Sequence, residues 1–300
     1  MIGQHPGRAV VVGVDGSADA LRAVRWAVPE ARRRRAVLRL VHAFAWTDDR
    51  MVGMPGLGRE DYGDRLRAAA QRGLSAAAAV ASELDRTVPV ESELVLGTAA
   101  GVLVEQSQSA ELAVVGDRGR GRITSMLAGS VAVGVAAHAA CPVVVVRGSA
   151  TAVGGPPTQP PPVVVGVDGT PLSEAALAFA FDAASTRSAP LLAVHTWLEA
   201  LADPDMAPLV DWRGLTEDET VALGERLAGW GEKYPDVIVE RVVVEGRAAQ
   251  VLRDLSRAAQ LVVVGSRGRG EFAGLVLGSV SSALVHGAWC PVAVVRSAEE

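Results

Sequence analysis

The stretch Val114–Ser130, VVGDRGRGRITSMLAGS, returns as Val263–Ser279, VVGSRGRGEFAGLVLGS, with its glycines at identical internal spacing. This duplication constrains the chain more than any other feature. In 300 residues it implies two domains built on one plan, each long enough for its own core. Each copy opens as an apolar run, breaks into glycine and arginine, and closes on Gly-Ser where an apolar, helix-like pattern resumes. That order predicts a strand, a loop and a helix start.

The loop residues have a chemical reading. Gly116 and Gly119, with Gly265 and Gly268 in the copy, are expected to turn the backbone with positive φ and to admit a ligand where a Cβ would block it. Gly129-Ser130 and Gly278-Ser279 then open helices, whose first N–H groups lack partners and whose dipole favours an anion. Arg118, Arg120, Arg267 and Arg269 add forked donors suited to phosphate. The expected guest is a polyphosphate. No Gly-Lys-Ser/Thr follows these glycines, so the loop is not the lysine P-loop. A glycine loop can also be a plain tight turn, a reading that the second copy weakens.

Charge and hydropathy narrow the classes further. A net charge of −5 and a pI near 5.6 argue against a general nucleic-acid binder and make the arginines local in purpose. The chain has no run of eighteen apolar residues, so no membrane partner is expected. Its N-terminus enters a strand pattern without a signal-peptide core, so the expected location is cytoplasmic. The two cysteines, Cys141 and Cys290, each precede a proline at the mouth of a valine-rich run. They read as buried packing residues rather than as a disulfide or a reactive thiol.

Residues 9–14, AVVVGV, form a β-branched run of the kind buried on both faces of a parallel sheet, ending in Asp15-Gly16-Ser17. Ser17 is the expected N-cap of an amphipathic helix, which Pro29 should kink or shorten and which ends in the solvated run Arg32 to Arg35. A second strand over 36–43 leads into a long loop to about Glu60, with Trp46, Met51, Met54 and Pro55. An Ala-rich helix, a third strand at Val88 to Leu96, a helix at Ala99 to Ser109, a fourth strand at Leu112 to Val115, the glycine loop, the helix from Ser130 and a fifth strand at Pro142 to Arg147 follow. Domain one is thus 1–147, a Pro/Gly-rich linker spans 148–162, and domain two is 163–300. There VVVGVDGT repeats VVVGVDGS, with Thr170-Pro171 as N-cap and first helical residue. Further strands are expected at Leu192 to Trp197, Val237 to Val244, Leu261 to Val264 and Pro291 to Arg296, with a helix at about Leu215 to Tyr234. Alternating strands and helices give an α/β fold with a parallel sheet, and ligands bind such sheets beyond the strands' carboxyl ends where strand order switches. Asp15 and the Gly116 loop, which follow strands one and four, should meet there.

The combination VVVGVDG[S/T], a Val-His pair in strand two and G-x2-G-x9-G-S, all present twice, resembles the universal stress protein family, in its tandem two-domain ATP-binding, actinobacterial-like form. The resemblance covers nearly the whole chain. It implies two Rossmann-like α/β/α domains, each with a five-stranded parallel sheet in the order 3-2-1-4-5, and one ATP per domain with Mg²⁺ on the phosphates. It assigns Gly116, Gly119, Gly129 and Ser130, with Gly265, Gly268, Gly278 and Ser279, to phosphates and ribose. Asp15 and Asp168 fall at the adenosine end, and the backbone of Val41 and Val194 at the adenine edge. The ATP-binding set is completed by Gly13, Arg118, Arg120, Gly121 and Val131, and by Gly166, Arg267, Arg269, Gly270 and Val280. Asp15 and Asp168 also suit a simpler role, capping the turn that follows.

His42 and His195 repeat, yet neither has a carboxylate or second histidine at ligand spacing, so both read as half-buried structural imidazoles rather than metal ligands. The expected function is a nucleotide-dependent regulator of stress response or growth, with a homodimer and a regulatory protein as partners. The alternative is a slow ATPase or ATP-dependent transferase on the same scaffold, which needs a positioned base that the sequence does not supply in both halves beyond Asp15 and Asp168. Asp117 stands where the second copy has Ser266. A carboxylate aimed into the first loop should weaken phosphate binding there, an effect that a divalent cation could offset, so unequal affinities are expected, with the N-terminal half the weaker.

Overall fold

The computed structural model describes residues 9–44, 59–119, 128–148, 160–197, 212–268 and 277–296. The expected cover loop with Trp46, Met51, Met54 and Pro55 lies outside the described residues, as does most of the 148–162 linker. The chain divides into two compact units, Met1–Val146 and Arg147–Glu300.

The first unit runs β1 (Ala9–Gly13), α1 (Ala18–Arg34), β2 (Val37–Phe44), α2 (Arg59–Leu84), β3 (Val90–Leu96), α3 (Ala99–Ser107), β4 (Leu112–Gly116), α4 (Ser130–His138) and β5 (Val143–Val146). Every strand pairing is parallel: β1 lies between β2 and β4, β3 pairs with β2, and β5 pairs with β4. The order is therefore 3-2-1-4-5, with the switch of direction between β1 and β4. Val10, Val11 and Val12, like Val143 to Val145, are shut off from solvent. Continuous valine runs suit strands covered by helices on both faces, whereas an alternating run would leave one face polar.

The second unit repeats the plan: β6 (Val163–Gly166), α5 (Pro171–Thr186), β7 (Leu191–Thr196), α6 (Trp212–Lys233), β8 (Val239–Val244), α7 (Ala248–Leu255), β9 (Leu261–Gly265), α8 (Ser279–Gly287) and β10 (Val292–Val295). Here β6 lies between β7 and β9, β8 pairs with β7, and β10 pairs with β9, all parallel. Helix α7 has no counterpart among the elements expected from periodicity. It is short, but Val251, Leu252 and Leu255 turn inward while Gln250, Arg253 and Asp254 are exposed, so the amphipathic period was legible there and was missed.

Helix α1 corrects two expectations. It is not shortened at Pro29 but continues to Arg34. The buried residues on either side of the proline, Ala27, Val28, Glu30 and Ala31, hold the helix against the sheet. Their packing offsets the missing hydrogen bond, a defect of about 3 kcal/mol. The arginine run is also not a uniformly solvated end. Arg34 is 9% exposed and pairs with Glu30 at 2.7 Å and Glu111 at 2.9 Å, and Glu30 is itself 1% exposed. The helix stops at Arg35, which takes the left-handed conformation (φ 52°) and donates its N–H to the carbonyls of Ala31 and Arg32.

Candidate functional site

At the carboxyl end of β1 the chain turns through Val14, Asp15 and Gly16. Val14 donates its N–H to the Val41 carbonyl at 2.8 Å, and Val167 does the same to Val194 at 2.9 Å. Both residues expected at the adenine edge are thereby fixed beside the turn. Asp15 Oδ1 accepts the Ser17 N–H at 2.9 Å, and Ser17 Oγ accepts the Ala20 N–H at 3.1 Å as the α1 N-cap. In the second unit Asp168 Oδ1 accepts both the N–H and the hydroxyl of Thr170, at 3.0 and 2.7 Å. Thr170 is the N-cap position of α5, with Pro171 first in the helix, but its hydroxyl is given to Asp168 rather than to the helix N–H groups. The turn-capping role of both aspartates is thus real, and it occupies one oxygen of each.

The other oxygen faces the glycine loop. A Cβ on Gly119 would lie 2.8 Å from Asp15 Oδ2, and one on Gly268 would lie 2.8 Å from Asp168 Oδ2. A side chain at either glycine would require the carboxylate or the loop to shift. The conformational half of the expectation is corrected: Gly116, Gly119, Gly265 and Gly268 are not among the left-handed glycines, whereas Gly16 (φ 78°) and Gly169 (φ 79°) are. The loop glycines are required for closeness, and the Asp-Gly turns for positive φ. Gly116 makes the same point, since a Cβ there would meet the backbone of Asp19 at 2.8 Å. Gly13 and Gly166 instead leave room for the packing of Leu103 and Leu252.

The loop after β4 returns to its own beginning. Gly129 donates its N–H to the Asp117 carbonyl at 2.7 Å, and Gly278 to the Ser266 carbonyl at 2.8 Å. Each glycine is the N-cap of the following helix and, having no side chain, leaves the first helical N–H groups uncapped. Ser130 and Ser279 are exposed at these starts, with Val131 and Val280 half-buried behind them. A helix opening with uncapped N–H groups beside a glycine-lined approach fits an anionic group. Arg120, Gly121, Arg269 and Gly270 lie outside the described residues. Each unit thus gathers its Asp, its loop glycine and its Gly-Ser helix start at the switch between adjacent strands, where ligands of open α/β sheets bind.

Asp117 does not extend into an open loop. It is buried, with Oδ1 3.3 Å from Arg22 Nη2 and Oδ2 3.5 Å from Arg118 Nε. Asp19 closes the group, 2.7 Å from Arg22 Nη1 and 3.6 Å from Arg118 Nε. The Asp117 carboxylate is thus met by protein arginines, in a cluster of four charges. Arg22 and Asp19 were not legible as site residues, because a helix residue and a loop residue far apart in sequence meet only through the β1–β4 pairing.

Other residues near the second turn were also missed. The Arg226 guanidinium of α6 lies over Gly169, in the space a Cβ would fill, whereas in the first unit Gly73 of α2 packs directly against Gly16. His195 is almost fully buried. Its Nδ1 lies 2.7 Å from the Val167 carbonyl and its Nε2 3.1 Å from Glu219 Oε2, so it does have a carboxylate beside it, supplied by α6. No group of three His, Cys, Asp or Glu residues suited to a metal exists among the described residues. Cys141 and Cys290 are buried and unpaired, and burial pushes both thiols up to about 12, so neither is a thiolate near neutrality. Among the described residues no helix is long and apolar enough to cross a membrane.

The model of the universal stress protein family matches twice, over residues 7–147 and 161–296. A universal stress protein of Mycobacterium tuberculosis is 42% identical over 96% of both chains. Another from the same species is 41% identical with the same coverage. Among solved structures, a universal stress protein from Archaeoglobus fulgidus superposes with a TM-score of 0.70 at 17% identity, covering 96% of each chain. A functionally unknown protein from Pseudomonas aeruginosa gives 0.62 at 15% identity, covering 98% of this chain and 94% of its own. At these identities the two structures support the fold.

Proposed function

The chain belongs to the universal stress protein family in both halves, and from that membership we propose that each half binds one adenine nucleotide, ATP with Mg²⁺ on its phosphates. The protein then acts as a nucleotide-dependent regulator of stress response or growth in the cytoplasm. The observation that carries this reading is the repeated approach of Gly119 to Asp15 and of Gly268 to Asp168. It sets in each unit a carboxylate beside a glycine loop and an uncapped helix start. Asp15 and Asp168, held at the turn through Oδ1, would face the nucleoside end of the ligand. Backbone N–H groups at Ser130, Val131, Ser279 and Val280, with Arg118 and Arg267, would hold the phosphates. Mg²⁺ would be carried by the phosphates rather than by a protein cage, in keeping with its retention of several waters. Occupancy of these sites is what a regulatory protein partner or a second copy of the chain would sense.

The direct test is to purify the protein, denature it by heat and identify any small molecule released, followed by titration of the emptied protein with Mg-ATP. Release of ATP, or saturable binding of it, is the expected result. An emptied protein that fails to bind any adenine nucleotide overturns the reading. Measuring phosphate release in the same titration tests the rival ATPase reading, for which rapid turnover abolished by Gly119→Ala is the required outcome.

A further inference from the structure

Arg118 is the described arginine of the first glycine loop, and its guanidinium faces two carboxylates of the protein itself. Nε lies 3.6 Å from Asp19 Oδ2 and 3.5 Å from Asp117 Oδ2, while Arg22 braces the other oxygen of each aspartate at 2.7 and 3.3 Å. The charges alternate around a closed ring. Asp117 sits at the end of β4 and Asp19 in the first turn of α1, so the ring ties the loop to the helix. The Asp117 backbone meanwhile holds Gly129 at the start of α4.

The sequence of the second copy does not repeat three of these four charges. Aligning the two VGVDG turns puts Leu172 where the first half has Asp19 and Ala175 where it has Arg22. Aligning the two glycine loops puts Ser266 at the place of Asp117 and Arg267 at that of Arg118. Three of the four charges are lost together and the loop arginine alone is kept. Ser266 is buried, with its carbonyl taking the Gly278 N–H and the Ser281 hydroxyl. The difference is therefore coordinated and does not reduce to one substituted residue.

We infer that Asp19 and Asp117 are specificity-determining residues of the N-terminal site: they act as an internal anion on Arg118 that a ligand phosphate must displace, and they lower this half's affinity for charged nucleotides. The inference rests on the reading of the loops as phosphate sites. The energetic logic is competition. A carboxylate and a phosphate oxygen both seek the same guanidinium donors, and the ring satisfies Arg118 before any ligand arrives. Arg118 is 52% exposed, which limits the effect to that of partly screened pairs. An uncharged nucleoside makes no claim on Arg118 and is indifferent to the ring.

The test uses the full chain carrying Gly268→Ala, so that binding reports the N-terminal half. Into it go Asp19→Leu, Arg22→Ala and Asp117→Ser together, which install the residues of the second half. Mg-ATP and adenosine are titrated into both proteins by calorimetry, and melting curves confirm that both are folded. The expected result is ATP affinity raised by about fivefold with adenosine unchanged. Repeating the comparison with Arg118→Ala present closes a double-mutant cycle. If the gain acts through Arg118 it disappears there, whereas a general effect of removing negative charge persists and overturns the inference. Unchanged or lowered ATP affinity in the triple variant also overturns it, with the nucleotide reading intact. Absence of ATP binding by the unsubstituted chain overturns both.

Discussion

At the residue scale the most consequential charge away from the sites is Glu30. Its side chain is 1% exposed, Arg34 approaches it at 2.7 Å and Arg33 at 3.5 Å, and Arg34 also reaches Glu111. Removing one member of a buried pair leaves the other uncompensated, at a typical cost of about 3–5 kcal/mol, while replacing both by apolar groups of similar size is often close to neutral. Arg34→Met is accordingly expected to lower unfolding stability by about 3 kcal/mol, the partial cover from Arg33 holding it to the low end. Glu30→Met combined with Arg34→Met should recover most of that loss, because Glu111 is part-exposed and can be hydrated. Urea unfolding of the two variants against the parent measures both values, and equal losses in the single and double variants would show that the pair is not the source. The sequence showed only four arginines in a row at a helix end. Which of them turns inward depends on where Glu111 lies after β4 is paired.

At the element scale the clearest test is the start of α1. Ser17 Oγ caps the helix through the Ala20 N–H while Asp15 fixes the residue before it, so Ser17→Ala should cost about 1 kcal/mol. The Thr170→Ala change at the matching point should act differently. Its hydroxyl bonds Asp168 and makes no cap, so the loss falls on the orientation of Asp168, and nucleotide affinity should drop more than stability. Thermal melts and titrations of the two variants separate these effects. Most elements were legible because valine runs, Gly-Ser starts and Asp-Gly turns are local signals that the duplication states twice. The strand order 3-2-1-4-5 came from the family resemblance, and the meeting of Asp15 with the loop glycines from the rule for switch points. What stayed illegible depends on tertiary contact: the helix running on past Pro29 and the glycines whose role is closeness rather than positive φ. Glu219 beside His195 belongs to the same class, since no spacing rule connects a residue of α6 to one of β7.

At the scale of the whole molecule, the described residues of each unit repeat the same proposed contacts: Asp15, Gly119 and Gly129-Ser130 in one, Asp168, Gly268 and Gly278-Ser279 in the other. Each of these sets is drawn from one unit, so on the proposed reading each chain should take up two nucleotides, and each site should be removable alone. Gly119→Ala would place a methyl group 2.8 Å from Asp15 Oδ2, and Gly268→Ala would do the same to Asp168. The carboxylate or the loop must then move, and crowding of this kind costs about 1–3 kcal/mol, or about five- to 150-fold in affinity. Native mass spectrometry with Mg-ATP is expected to show two ligands per parent chain, one for each single variant and none for the double. If each unit binds through its own residues, the two affinity losses add in the double variant. Loss of both ligands from one substitution would mean that the nucleotide is shared between the two sets, and two independent sites would no longer describe the protein.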